Sequence, residues 1–179
     1  MKKLAIALAL SLTASAAHAV EFIVTSPDFM ADKPIANTHV FKGFGCEGEN
    51  ASPALAWSGA PEGTKSYAVT VYDPDAPTGS GWWHWVVFNI PATVTALDAG
   101  ASASGLPEGA VQSRTDYGTE SYGGPCPPAG DEPHRYIVTI HALDVGKLDI
   151  APDTPAAQVG FNLHSHRLGK AELTAKYGR

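Results

Sequence analysis

The sequence predicts a mainly β protein, with antiparallel strands in two packed sheets and few helices. Three observations carry that expectation. Several segments alternate apolar and polar residues with the two-residue period of half-buried strands. The 18 glycines and 14 prolines fall largely between those segments and mark turns. Only one stretch has helical spacing. With 44% hydrophobic and 17% charged residues, the chain has enough apolar content for a packed core and does not read as disordered.

The N-terminus reads as an export leader. Lys2 and Lys3 form a basic start, Leu4 to Leu12 is an apolar run broken only by Ser11, and Ala17-His18-Ala19 supplies the small residues that a signal peptidase needs. The run is far short of the roughly 20 residues that cross a bilayer as a helix. Cleavage is expected after Ala19, giving a signal peptide of residues 1–19 and one domain over residues 20–179. The expected location is the periplasm of a Gram-negative cell, or the medium of any other cell, with no transmembrane segment.

Short strands are expected at Phe22 to Thr25, His39 to Phe41 and Ala54 to Trp57. In Ser66 to Asp73, Tyr67, Val69 and Val71 share a face. In His84 to Ile90, the alternation predicts that His84, Val86, Phe88 and Ile90 do so. Tyr136, Val138, Ile140 and Ala142 line a third strand. Thr154 to Leu168 is the helical stretch. Thr154 is placed to cap it, Pro155 suits its first turn, Ala156, Val159 and Leu163 make its apolar stripe, and Gly169 is expected to end it. Leu173, Ala175 and Tyr177 complete a last strand.

The net charge is −6, and −8 for residues 20–179, because Lys2 and Lys3 are the only charged residues before Val20. A domain of that charge repels nucleic acid and anionic lipid surfaces in bulk. Any anion it binds must be held by local geometry. The two cysteines, Cys46 and Cys126, admit one pairing, and an oxidising compartment favours a disulfide. Closing a loop of about 80 residues stabilises by about 4 kcal/mol on the chain-entropy account. Two buried thiols, or part of a metal site, are the alternatives.

Gly43-Phe44-Gly45-Cys46-Glu47-Gly48 fits a dinucleotide-binding pattern by letter. Residues 49–53 carry turn chemistry where that pattern needs a helix, so it is rejected. His164 and His166 lie two apart on the helical stretch and point to nearly opposite faces, which suits surface or capping roles and not one shared metal.

Two other stretches carry chemistry. Asp73-Pro74-Asp75-Ala76-Pro77 ends a strand, and a glycine-rich turn returns to Trp82-Trp83-His84-Trp85. Gly123-Gly124-Pro125-Cys126-Pro127-Pro128 leads to His134-Arg135-Tyr136 at the mouth of another strand. Two strand mouths, each with a loop and a histidine, read as two sides of one pocket. These stretches, with Asn89-Ile90-Pro91, resemble the phosphatidylethanolamine-binding protein family in its bacterial Raf-kinase-inhibitor-like branch, over nearly all of Glu21 to Arg179. The resemblance implies a large antiparallel sheet packed with a smaller one, peripheral helices, and an anion pocket lined by Asp73, Asp75, His84, Gly124, Pro125 and His134. Two departures weaken any transfer of lipid selectivity or kinase inhibition. The turn between Asp75 and His84 is shorter than in cytosolic eukaryotic members, and no C-terminal helix comes after the last strand.

The expected ligand is therefore a small phosphate-containing anion or a phospholipid head group. The carboxylates are expected to orient the histidines and raise their pKa, Gly123 and Gly124 to offer backbone donors, and affinity to rise as pH falls. Asp75 or Asp73 could also receive an ethanolamine ammonium. Neither metal nor other cofactor is expected, and no catalytic residue is assigned. An Asp/His hydrolase is the remoter alternative, since no serine sits in a nucleophile elbow. An inhibitor or interaction module for an exported or host protein is the nearer one.

Overall fold

The computed structural model describes residues 20–179 apart from Asp32. The leader read at residues 1–19 lies outside the described residues. The strands in chain order are β1 (Ile23–Thr25), β2 (Lys42–Gly43), β3 (Cys46–Glu47), β4 (Leu55–Ser58), β5 (Ser66–Asp73), β6 (Trp82–Pro91), β7 (Ala96–Leu97), β8 (Val111–Gln112), β9 (His134–Leu143) and β10 (Arg167–Tyr177). A short helix α1 (Ala101–Ser104) precedes β8, and α2 (Ala156–His166) precedes β10. The fold is mainly β, as the alternation predicts. A five-stranded antiparallel sheet runs β10-β9-β5-β6-β8, a smaller sheet runs β1-β4-β7, and β2 and β3 form a separate hairpin.

Both faces of the large sheet are covered, which explains why β5, its central strand, is apolar or small at most positions. Toward the small sheet, Tyr67, Val69, Val71, Trp85, Tyr136, Val138 and Ile140 pack against Val24, Leu55, Trp57 and Leu97. On the opposite face Ala68, Val86 and Phe88 meet Ala156, Val159 and Leu163 of α2. The helical stripe thus packs as expected, although the helix differs at both ends. Pro155 holds the N-terminal capping position without a side-chain cap, and the Thr154 carbonyl accepts the Ser113 hydroxyl. At the other end the chain passes straight into β10 at Arg167, so Gly169 belongs to the strand, where a side chain would strike Pro61. His166 pairs with Asp144 at 3.0 Å and His164 lies beside Arg167, both in the last helical turn.

Two other expectations are corrected. His39 to Phe41 is not a strand: Asn37–His39 is a turn of 3₁₀ helix and the chain extends only at Lys42. In β6 the expected face fails because the strand is bulged twice. Tyr72 pairs with Trp83 and Val71 with Trp85, which leaves His84 as an extra residue. Tyr67 pairs with Ile90 and Val69 with Val87, so Ala68 faces both Phe88 and Asn89, and Asn89 has φ of 60°. Each inserted residue reverses the faces beyond it. Ile90 therefore joins the core between the sheets while Val86 and Phe88 lie under α2.

Antiparallel pairing brings the end of β5 and the starts of β6 and β9 to one end of the large sheet. Two loops are welded together there. The Pro125 carbonyl accepts from the Phe41 amide, Asn50 donates to the Tyr122 carbonyl and accepts from the Gly124 amide, and the Tyr122 hydroxyl donates to the His39 carbonyl. A disulfide joins Cys46 to Cys126 across the same seam. The backbones meet so closely that a Cβ on Gly124 would lie 2.0 Å from the His39 carbonyl oxygen.

Gly124→Ala is expected to cost about 3 kcal/mol or more, because the obstacle is backbone that cannot swing aside. Gly146→Ala, where no heavy atom lies within 4 Å of the new carbon, is expected to stay within about 0.5 kcal/mol of wild type. Denaturant melts of both variants check the contrast.

Candidate functional site

A cavity of about 170 Å³, open to solvent, sits at the end of the large sheet where β5, β6 and β9 converge. Its lining includes Asp73, Trp82, His84, Tyr117, His134 and Tyr136, with Phe44, Pro77, Thr78, Cys126, Pro127 and Pro128 around them. Of the residues expected at the site, the structure brings Asp73, His84 and His134 together on this cavity. Asp75, Gly124 and Pro125 are not in its lining and stand behind it.

Asp73 ends β5 and is only 3% exposed. One carboxylate oxygen accepts the backbone N–H groups of Asp75 (2.8 Å) and Ala76 (3.1 Å), which shapes the next turn. The other accepts His134 Nδ1–H at 2.8 Å. The first residue of β9 is thereby oriented by the last residue of β5, two strands that pair side by side. On the far side of the ring, His134 Nε2 lies 3.6 Å from Asp131. The expectation that a carboxylate orients a histidine holds at this position.

Asp75 turns outward to Arg135. The guanidinium reaches both of its oxygens, at 2.9 and 2.6 Å, and the Arg135 amide adds a third bond at 2.9 Å. Hydrogen bonding from the Arg135 side chain holds this carboxyl down at about 2, and the same pairing raises the arginine. Asp75 is spent on fixing the start of β9, so its expected place in the pocket is corrected.

His84 departs from expectation in another way. Its Nδ1 lies 2.6 Å from the Gly123 carbonyl, which can only accept, so Nδ1 carries the proton. In the neutral ring Nε2 is then a bare acceptor, and it is buried with no protein partner. Burial, only partly offset by the Gly123 bond and the charge of Asp73, pushes the His84 pKa down to about 4. The charges of Asp73 and Asp116 raise it too little to overcome burial, so the net shift is downward, contrary to the general expectation for the pocket histidines. The Gly123 amide donates to the His84 carbonyl and the Gly124 amide to Asn50, so neither is free for a ligand. These glycines serve close packing: a Cβ on Gly123 would lie 2.2 Å from the Tyr117 ring.

The aromatic lining is what reading the sequence missed as a site. Tyr136 packs edge-on to His84 at 5.1 Å, and its hydroxyl is buried without a partner, as is Trp82 Nε1. Burial raises the Tyr136 pKa far above that of a free tyrosine, so the hydroxyl stays a donor. Tyr117 closes another wall, its hydroxyl bound to the Gly124 carbonyl at 2.7 Å. Tyr136 and Trp82 lie inside the two loop-and-strand stretches that carry the pocket histidines, but as strand and core residues. Tyr117 belongs to no motif.

Among the described residues no group of three or more His, Cys, Asp or Glu side chains is arranged to hold a metal ion. No helix among them is long and apolar enough to cross a membrane.

Comparison with known proteins agrees with this architecture. A family model described as phosphatidylethanolamine-binding protein matches residues 25–178. The Escherichia coli protein YbcL is 51% identical over 180 residues, 99% of this chain and 98% of its own length. YbhB of the same organism is 49% identical over 154 residues, 85% of this chain and 97% of its own. The crystal structure of E. coli YbcL superposes with a TM-score of 0.87 at 52% identity, covering 89% of this chain and 99% of that one. A homologue from Chlamydia trachomatis, CT736, reaches 0.74 at 32% identity with the same coverage. The fold, the spacing of the two loop signatures and these matches together place the chain in the phosphatidylethanolamine-binding protein family.

Proposed function

We propose that this protein is an exported binding protein that captures a small phosphate-type anion, free or as the head group of an ester, in the cavity at the β5–β6–β9 end of the large sheet. One observation carries the reading. His84 Nε2, the Tyr136 hydroxyl and Trp82 Nε1 are buried polar groups without protein partners, and all three residues line the same cavity. Leaving such a group unmet costs on the order of 1–3 kcal/mol. Three at one cavity favour a polar occupant from outside the protein.

The chemistry of the three selects the occupant. The tyrosine O–H and the indole N–H are donors, and they suit anionic oxygens. His84 Nε2 accepts a proton, either from a protonated phosphate oxygen or from solvent as the anion binds. The nearby negative charges are already engaged. Asp73 is met by His134 and two backbone amides, and Asp75 by Arg135. Binding suits this lining better than catalysis does. The Thr78 hydroxyl donates to the Gly81 carbonyl and Cys126 is held in its disulfide, so neither is an activated nucleophile. The leader read at residues 1–19 and the disulfide both support a location outside the cytosol.

Three outcomes are expected. In isothermal titration the oxidised protein binds phosphate and phosphoethanolamine saturably. Tyr136→Phe, which deletes only an unpartnered hydroxyl, weakens both about tenfold while its Tm stays level or rises. No saturable binding to the wild type would sink the reading.

The pH dependence has a definite sign. His84 is neutral above about 4, and an anion beside it raises that value in the complex. Binding then takes up a proton. Affinity should climb as pH falls from the pKa of the complex toward about 4, by up to about tenfold per unit, and level off below it. Titrating with sulfate, which does not itself titrate in this range, in buffers of different ionisation enthalpy measures the uptake directly. A value of zero throughout would remove His84 from the account.

Expressed in E. coli, the protein recovered from the periplasm should begin at Val20 by mass spectrometry of the intact chain. Recovery of a chain that keeps Met1 in the cytosol would contradict export.

A further inference from the structure

The disulfide is unequal toward solvent. Cys126 is half-buried and belongs to the lining of the cavity, whereas Cys46 is only 8% exposed and does not. Thiol–disulfide exchange needs a thiolate to reach one sulfur and expel the other, and access decides which sulfur is attacked.

The bond also restrains a strained element. β2 and β3 pair Lys42 with Glu47 and Gly43 with Cys46, leaving Phe44 and Gly45 as a two-residue hairpin loop. Both have positive φ, 54° and 82°, as in a type I′ turn. The first position of that turn ordinarily holds Asn, Asp or Gly, and a bulky side chain there is strained. Phe44 is 71% exposed, so burial in the core does not compensate.

Base and tip of this hairpin are tied to the facing loop in different ways. At the base, the Phe41 amide donates to the Pro125 carbonyl and Asn50 bonds both Tyr122 and Gly124. At the tip, among the described residues, the disulfide is one tie and Arg179 is the other. Arg179 donates to the carbonyls of Gly45 (3.1 Å) and Phe44 (3.4 Å), and to that of Pro127 (2.7 Å) on the facing loop. Its two bonds to the tip are exposed, so water competes for them. Neither tie involves the strands of the large sheet, which is held by its own ladder and core.

We propose that Cys46–Cys126 is a site of thiol–disulfide exchange, attacked at Cys126 by a low-molecular-weight thiol entering through the cavity, and that its opening frees the β2–β3 tip while the sheets stay folded. A cavity of about 170 Å³, open to solvent, admits such a thiol. The attacking thiolate bonds to Cys126 Sγ, the bond between the cysteines breaks, and Cys46 leaves with the electron pair as a thiolate that takes a proton from solvent. A second thiol resolves the mixed disulfide. Two external thiols are thereby oxidised to one disulfide, and the protein gains two cysteine thiols. Freed at Cys46, Phe44 can leave the left-handed region, and its ring then leaves its place beside Tyr117.

Two measurements on the oxidised full chain test this. In the first, 2-mercaptoethanol is added without denaturant, the reaction is stopped with acid, and free thiols are alkylated before peptide mass mapping. The adduct is expected on Cys126 and the alkyl label on Cys46. In the second, hydrogen exchange is compared before and after full reduction. Peptides covering Lys42–Glu47 should exchange about tenfold faster or more when reduced, while those of β5 and β9 stay within about twofold. An adduct on Cys46, reduction that proceeds only in denaturant, a tip unchanged by reduction, or protection lost from β5 and β9 along with the tip each overturns the proposal. Neither readout uses an anion, so the outcome is independent of the anion reading.

Discussion

The carboxylate of Asp73 is the fixed point of the end of the large sheet that carries the cavity. A buried charge is costly unless every lone pair has a partner. Here two backbone amides from the adjoining turn and the His134 ring supply them. That requirement shapes the chain on both sides. The turn must fold back to present the Asp75 and Ala76 amides, and β9 must begin where His134 meets the acid. Arg135, next along β9, then lies within reach of Asp75, and the two clamp the turn from outside. The paired acids of this stretch thus act first as a scaffold, Asp73 held by His134 and two backbone amides and Asp75 by Arg135.

The second constraint is close approach between loops far apart in sequence. The segment from Asn37 to Ala51 and the one from Tyr117 to Pro128 make no regular sheet with each other. They are held by side-chain and backbone bonds in alternation: Tyr122 to His39, Asn50 to Tyr122 and Gly124, and Phe41 to Pro125. Gly124 lets these backbones meet, and the amides of Gly123 and Gly124 are taken by the His84 carbonyl and the Asn50 side chain, so neither is offered to a ligand. A rigid seam also explains how three polar atoms stay unsatisfied. In a compliant loop Tyr136 or Trp82 would gain a partner by a small shift, while here the disulfide, Tyr117 and Arg179 brace the walls.

Much of this was legible in the sequence where periodicity and local chemistry act alone. The alternations in β5, β9 and β10 gave the right faces, and the stripe of Ala156, Val159 and Leu163 gave the face of α2. The two loop signatures led to Asp73, His84 and His134. The features that could not be read depend on partners distant in the chain. Asp75 looks equivalent to Asp73 until Arg135 is placed beside it. Gly124 looks like a ligand-binding glycine until the His39 carbonyl is found against it. Tyr117 and Phe44 lie in loops with no period at all, and only the seam brings them to one wall. Residues 39 to 41 mislead because a β-branched and an aromatic residue suggest a strand, whereas tertiary bonds fold the segment as a turn.

The bulge in β6 shows why regular alternation fails at the point that matters most. A strand in register puts every second side chain on one face, so a residue beside Trp85 would point away from it. Trp85 is needed in the core between the sheets, where it packs against Tyr122. His84 is also needed on that side, against Tyr136 and Tyr117. Inserting His84 as the unpaired residue meets both demands and releases its backbone from the ladder to β5. The released carbonyl is taken up by the Gly123 amide, and the Gly123 carbonyl takes the His84 Nδ1 proton. One irregularity therefore sets the position of the ring, its tautomer and the direction of its bare nitrogen. Restoring the regular alternation would strengthen the strand and turn His84 away from the cavity, so the bulge is where strand pairing yields to the shape of the cavity.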